Sequence, residues 1–484
     1  MTELGAVLGV LPRDGLHGRR MITTDKRQIT AENVAEVVQA AYAVHLQNRR
    51  EIQYLYDFYR GKQDVRCRKK QIRPEILNIV MANRANEIVT FKVSYLLGAP
   101  MQYISKGSKS ELLVQLNNIM AVQDKAAKDK EVADWVHIAG VGYRFTARDP
   151  LDAEEPLRFY TLDPRDVFVI RYSGIGNAML AGCIIQRDED GQEYVGVYTK
   201  QAYFELRGED VRQYGYSLGR IPVTEYLHNS ARMGAFEIVL PLLNAINTLE
   251  SNRVDDIEQF VQSILVFKNC ELPAEDAENL LRDLGIQIKD TGQAQANVFR
   301  VDGALDQNGV QTVVDDLYET VLTICGMPNR NGGSSTSDTG AATIMRDGWS
   351  AAESRARDTE LLWCRSEREF LRTALDILRI STDLDLSVDE VGIKFPRRNH
   401  TDIQSKAQVL AELLNNQYVH PLTAWQVSDL VPDTEEAYRA GMQWNEEQQQ
   451  RLEESLNVRA IGRGDPAAEQ TDGTEVPADG GETE

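Results

Sequence analysis

From Thr30 onward the apolar positions fall at helical spacing. Val34, Val37, Val38 and Ala41 share one face, the pattern runs on toward Tyr56, and Thr30 stands where a helix cap belongs. The same period returns through Ile79, Met81, Ile88, Val89 and Val93. It predicts a helix over Asn78 to Leu97, ended by the Gly98-Ala-Pro stretch. A further helix is expected from Ser110 to about Trp135. Between Gly142 and His228 the period shortens to two. Tyr143-Arg-Phe-Thr-Ala, Arg158-Phe-Tyr, Val167-Phe-Val-Ile, Gly182-Cys-Ile-Ile-Gln and Tyr194-Val-Gly-Val-Tyr read as strands of a meander. Asp190-Gly191 lies between two of them and favours positive φ, which marks a hairpin turn.

The second half is mostly helical. A helix is expected from about Phe236 to Gln262, with Pro241 tolerated in its first turn, and then a short αβ stretch from Ile264 to Val301. Another helix follows from Gln307 to Cys325. On it Val310, Val313, Val314, Leu317, Val321 and Ile324 form an apolar stripe, and Asp315, Asp316 and Glu319 lie opposite. The small-residue stretch Met327 to Thr339 then opens a helical run reaching roughly to Arg379, which at 1.5 Å per residue would span about 60 Å. Asp338 or Thr339 could cap that run, and Gly348 is its expected kink. Val391-Gly-Ile-Lys-Phe reads as a returning strand, and two or three helices from Thr401 to near Leu456 complete the pattern.

With 484 residues the chain exceeds the size of one growing core, so two or more structural regions are expected. A composition of 42% hydrophobic and 26% charged residues is that of a soluble protein, and no apolar run is long enough to span a bilayer. The apolar run Leu4 to Leu11 lacks a basic lead-in and reads as part of a loose arm rather than a signal peptide. The net charge of −21 disfavours a protein that grips phosphate over a broad basic face. The segment from Ile461 contributes seven carboxylates against Arg463 alone and reads as a disordered acidic tail.

Chemistry-bearing motifs are scarce. Five scattered cysteines with no CxxC pair suggest reduced thiols, and six histidines show no metal-binding spacing. Gly332-Gly333-Ser334-Ser335 has no following Lys, so it is not a phosphate-binding Walker loop, and HExxH does not occur. An acidic calcium loop at Asp188-Glu-Asp-Gly lacks the spaced ligands and the distal Glu. The basic run Arg66-Cys67-Arg68-Lys69-Lys70, with Arg73 nearby, is open to two readings, a nucleic-acid or acidic-partner contact and a solvated loop ahead of a helix.

Several segments form an ordered series along the chain. Near the start these are Tyr59-Arg-Gly-Lys-Gln, Asn78-Ile-Val-Met-Ala-Asn and Val93-Ser-Tyr-Leu-Leu-Gly-Ala-Pro. In the middle they are Ile221-Pro-Val-Thr-Glu-Tyr, Leu243-Asn-Ala-Ile-Asn-Thr-Leu-Glu-Ser-Asn-Arg and Ser263-Ile-Leu-Val-Phe. Ile393-Lys-Phe-Pro-Arg-Arg-Asn and Val431-Pro-Asp-Thr-Glu-Glu close the series, and in this order the segments resemble the portal proteins of tailed bacteriophages of the siphophage type.

The resemblance implies an α+β portal fold and a ring, usually of twelve copies, at one capsid vertex. Its parts would be a flexible N-terminal arm (1–28), a mixed α/β wing (29–235), a two-helix stem (236–262 and 304–326) and a small αβ clip (263–303). A tunnel loop (327–340), a long kinked wing helix with its returning strand (341–400), a helical crown (401–457) and an acidic tail (458–484) would follow. Double-stranded DNA would pass without sequence specificity. The DNA-proximal set would be Asn331, Gly332, Gly333, Ser334, Ser335, Thr336 and Ser337, with Asp315, Asp316 and Glu319 turned to the channel. Arg330 and Arg346 could touch phosphate transiently or form structural salt bridges. The implied partners are the terminase large subunit, the head–tail adaptor, and the major capsid and scaffolding proteins. The resemblance implies no enzyme activity, cofactor, metal or membrane, with assembly in the host cytoplasm and a final place in the virion. The rivals are a packaging ATPase or nuclease, and a capsid or head-completion protein without a DNA channel.

Overall fold

The computed structural model describes residues 18–71, 74–106, 109–149, 156–208, 210–261, 265–268, 297–300, 307–329, 348–382, 384–396, 403–428, 430–431 and 434–461. They belong to two compact units, residues 1–400 and 401–484, and contain ten α-helices and thirteen strands, a mixed α+β architecture.

In the first unit, helix α1 (Val34–Tyr59) covers a six-stranded sheet of order β1-β5-β6-β7-β8-β9. Strands β5 (Val167–Tyr172), β6 (Met179–Arg187), β7 (Glu193–Tyr198), β8 (Ala202–Arg207) and β9 (Asp210–Gly215) form an antiparallel meander, and β1 (Thr23–Thr24) adds parallel to β5. The register pairs Phe168 with Cys183, Cys183 with Val197 and Val197 with Phe204. That places one apolar row on a single face, where it closes against Val34, Val37, Val38 and Ala41. Asp190-Gly191 forms the expected β6–β7 turn, with Gly191 at φ 78.

A second sheet, of order β10-β3-β4, joins β3 (Val141–Arg148), β4 (Leu157–Leu162) and β10 (Val223–Leu227). The long helix α7 (Trp349–Ser381) lies across it, with Phe370 edge-on to Phe159 at 5.2 Å between centroids. The 33 residues of α7 span about 50 Å. Its Glu367, fully buried, accepts from Lys125 (2.8 Å), Tyr226 (2.7 Å) and Tyr103 (2.5 Å) and ties α7 to helix α4 (Lys125–Ala139) and to β10. The returning strand β13 (Val391–Lys394) pairs antiparallel with β2 (Gln102–Ser105). In the second unit, α8 (Ile403–Leu414) packs on α9 (Pro421–Ser428), which packs on α10 (Thr434–Ile461); the last helix runs past the expected Leu456.

Several expectations change. The arm assigned to residues 1–28 is built into the body from Gly18 on, because Arg19 is buried between carboxylates and Thr23–Thr24 pair with β5. Asn33, not Thr30, occupies the cap of α1. The helix expected over Asn78 to Leu97 is α2 (Arg84–Leu97), which begins at an Asn83 cap. The helix expected from Ser110 to Trp135 is two, α3 (Ser110–Val122) and α4, parted where Asp124 takes φ 53. Gly348 stands ahead of α7 at φ 80, so it precedes the first turn instead of kinking the helix. Strands β8, β9 and β10 went unassigned from sequence.

Candidate functional site

Helices α5 (Leu240–Val261) and α6 (Gln307–Cys325) form an antiparallel pair, joined through residues 262–306, within which β11 (Leu265–Lys268) and β12 (Asn297–Arg300) pair antiparallel. At one end Arg253 donates to Gln307 at 2.7 Å and also to Gln311. At the other, Cys325 meets the Ala235 carbonyl. The buried face of α6 carries Val314, Val321, Leu322 and Cys325, with Val310, Leu317 and Tyr318 partly covered. This face is rotated from the expected stripe, since Val313 and Ile324 are exposed, at 49% and 39%. Asp315, Asp316 and Glu319 are all exposed on the side away from the core, with Gln311 donating to Asp315 at 2.7 Å.

The opposite flank of α5 is held by polar groups. Asn247, Ser251 and Asp255 recur every fourth residue and are each fully buried. They accept the backbone N–H groups of Ala82 (3.0 Å), Val80 (3.0 Å) and Asn78 (2.7 Å). Four helical residues rise about 6.0 Å and two extended residues about 6.6 Å, so alternate N–H groups of an extended chain match every fourth helical side chain. This ladder explains why residues 78–82 are not helical, for the N–H groups that a helix would use are already taken.

Two cations of the basic run complete the clamp: Arg68 and Lys70 reach Asp255 at 2.8 and 3.2 Å. Burial alone would raise the Asp255 carboxyl, but the Asn78 N–H, Arg68, the Asn78 amide and Lys70 outweigh it and hold the group down to about 2. Arg68 and Lys70 are thus bound to α5, and neither sequence reading of that run foresaw it. A four-residue spacing of short hydrogen-bonding side chains on a helix was the available signal.

The foot of α5 sits in a second polar nest. Glu237 accepts from Gly18 (3.1 Å), Gly234 (2.8 Å) and Arg19 (2.9 Å), and Arg19 also faces Glu51 at 3.1 Å. Nearby, Glu225 binds Arg232 at 2.6 Å and Arg171 at 2.8 Å. Burial pushes the Glu225 carboxyl up, and the two guanidiniums reverse this and hold it at about 2.

Helix α6 ends in a glycine cap. Gly326 takes φ 64, Met327 N–H donates to the Leu322 carbonyl (2.8 Å) and Gly326 N–H to that of Thr323 (3.1 Å). Lys92 adds its ammonium to the Cys325 carbonyl at 2.7 Å, at the negative end of the helix. The chain that leaves here returns beside its own exit. A Cβ added at Gly348 would lie 3.7 Å from both the Met327 carbonyl oxygen and Pro328 Cα. Residues 330–347, with the expected DNA-proximal set Asn331 to Ser337 and Arg330 and Arg346, lie outside the described residues. Among the described residues no cluster of side chains could hold a metal ion, and no helix is long and apolar enough to cross a membrane.

No curated protein matches this chain. Among solved structures it is similar to one described as the neck of an empty GTA particle computed with C6 symmetry, at 9% identity and a TM-score of 0.42, over 72% of this chain and 90% of that one. A family model described as phage portal protein, SPP1 Gp6-like, matches residues 40–455, well over half of the chain. The α+β chain with its paired helices and its excursion between α6 and α7 is therefore a member of the SPP1 Gp6-like family of phage portal proteins.

Proposed function

We propose that copies of this chain close into a ring at a capsid vertex, twelve by the family resemblance, and that double-stranded DNA enters and leaves through its centre. In this reading α5 and α6 are the stem, residues 263–303 the clip that docks the terminase large subunit and later the head–tail adaptor, and residues 401–457 the crown. The virion is the site of action, and energy for transport comes from a separate ATPase. The observation that carries the reading is the portal-family match over residues 40–455, together with the close approach of Met327 and Gly348. Those two residues meet at the end of a helix whose outward face bears Asp315, Asp316 and Glu319.

A conduit must not retain what it conducts. Cations that neutralise phosphates release counterions and hold the duplex, whereas carboxylates on the wall keep it moving. We assign Asp315, Asp316 and Glu319 to that wall and Asn331 to Ser337 to the loop around the duplex, where glycines and short hydroxyl side chains give movable contacts.

Negative-stain class averages of the purified protein test the ring. A central opening is expected; shells, or tubes without one, would favour a head-completion protein instead. Replacing Asp315, Asp316 and Glu319 by Lys should leave rings intact and make DNA retention salt-dependent, with a log–log slope growing by about 0.9 per phosphate engaged. Unchanged retention would remove these residues from the wall. Replacing Gly332 and Gly333 by Val should leave rings but impair packaging, and equal packaging would count against a moving loop.

A further inference from the structure

Between α7 and the edge made by β10 and the β5–β6 turn lie two cavities of 240 and 320 Å³ that share Met179, Thr224 and Glu369. Arg171, Lys200, Arg220, Arg232, Arg365 and Arg372 line them, against the carboxylates Glu225 and Glu369. In a chain of net charge −21 this is a local excess of the opposite sign, gathered from separate segments.

Internal pairing does not consume it. Glu225 is shared by Arg171 and Arg232, Arg220 is paired with Asp376, and Arg372 comes no nearer than 3.9 Å to Glu369. Lys200 and Arg365 form no ion pair among the described residues, and the buried Nε of Arg232 has no hydrogen-bond partner. Arg232 also sits in the left-handed region at φ 59, a conformation that disfavours a non-glycine residue. Apolar residues accompany the lining: Met21, which lines it, is 44% exposed, and Ile175 and Leu361, next in sequence to the lining residues Gly176 and Leu362, are fully and 73% exposed.

We propose that this groove receives carboxylates of a second copy of this chain, making it a contact between neighbours in the ring. The inference rests on the ring reading above and adds the surface that builds it. A phosphate backbone would gain from the guanidiniums but nothing from Ile175 and Leu361, whereas a protein surface gains from both. A second copy brings the complement. Glu189 and Asp190, at the exposed tip of its β6–β7 hairpin, form no ion pair among the described residues.

The test is sedimentation velocity on the full-length chain over a range of concentration and salt. The wild type should assemble less readily as salt rises. Arg365→Glu with Arg372→Glu should raise the concentration for half-assembly at least about tenfold, and Lys200→Glu, on a separate exposed turn, should act in the same direction. Arg357→Glu, whose native partner is Glu353 on the same helix, should not. Circular dichroism melts matching the wild type would show that the variants fold. Wild-type rings with equally assembled groove variants would overturn this inference alone. Unchanged assembly with lost duplex retention would overturn it in favour of a nucleic-acid site. A wild-type chain that never forms rings would overturn both this inference and the ring reading.

Discussion

Where α1 meets the six-stranded sheet, Phe168, Cys183, Val197 and Phe204 close against Val34, Val38 and Ala41 in an apolar row, beside which Arg49 of α1 reaches Asp166 at 3.0 Å. Where α5 meets residues 78–82, the contact is three buried polar side chains, each accepting one backbone N–H. Apolar burial is nondirectional and grades smoothly with area, so that row holds α1 close without by itself fixing its position along the sheet to a fraction of a residue. The ladder works at one spacing only. If α5 slides by a residue, three N–H groups and a buried carboxylate lose their partners together. For a helix proposed to line a conduit, the polar seat therefore sets height, while the sheet supplies bulk stability.

The comparison breaks most sharply at Asp255. Asp255→Ala strips partners from Arg68, Lys70 and the Asn78 N–H in one step, and loss of one member of a buried ion cluster costs about 3–5 kcal/mol. Chemical denaturation of the full chain measures this. Hydrogen exchange should place the loss locally, with the amides of Asn78, Val80 and Ala82 exchanging much faster and those of β6 and β7 retaining their protection. A variant as stable as the wild type would mean that the ladder contributes nothing to the seat.

Acid sharpens the same contrast with a smaller effect. Asp255 titrates at about 2 in the fold and near 4 unfolded, so the folded chain binds fewer protons between those values. Its contribution, about 2 kcal/mol, is complete above pH 4 and disappears as pH falls through 2. Asp255→Asn keeps an oxygen for the Asn78 N–H and removes the titration. The stability gap between wild type and Asp255→Asn should therefore be full at pH 7 and shrink steadily below pH 4. A gap that does not change with pH would show that the charge of Asp255 contributes nothing to the seat. The row of Phe168, Cys183, Val197 and Phe204 has nothing that titrates in this range.

What could be read in advance follows the same division. The period-two pattern placed β3 to β7, and the period of 3.6 placed α1, α5 and α6, because those faces are buried by local amphipathic pairing. Tertiary hydrogen bonding was invisible. Asn78 to Ala82 carry good helical spacing, yet their N–H groups go to side chains far along the chain, so the helix waits until Arg84. On α6 the apolar stripe was placed one step round the helix, since Leu322 and Cys325 are called inward by Phe236 and Met327, while Val313 and Ile324 face out. The arm was misjudged because one buried arginine, Arg19, anchors it between Glu51 and Glu237. The carboxylates Asp315, Asp316 and Glu319 were legible as exposed, but a single chain cannot say what they face.

The mildest change probes the other side of the comparison. Ile185 on β6 is 8% exposed and belongs to the cluster beneath α1. Ile185→Val removes one methylene from it, which costs about 0.5–1.5 kcal/mol according to how far the neighbours relax. No hydrogen bond is lost, so the denaturation midpoint should drop slightly while the amides of Asn78, Val80 and Ala82 keep their relative protection. Equal acceleration of those amides by Ile185→Val and by Asp255→Ala would show that sheet and seat open as one cooperative unit. The ladder would then be a part of the general core, and height control by α5 would need another origin.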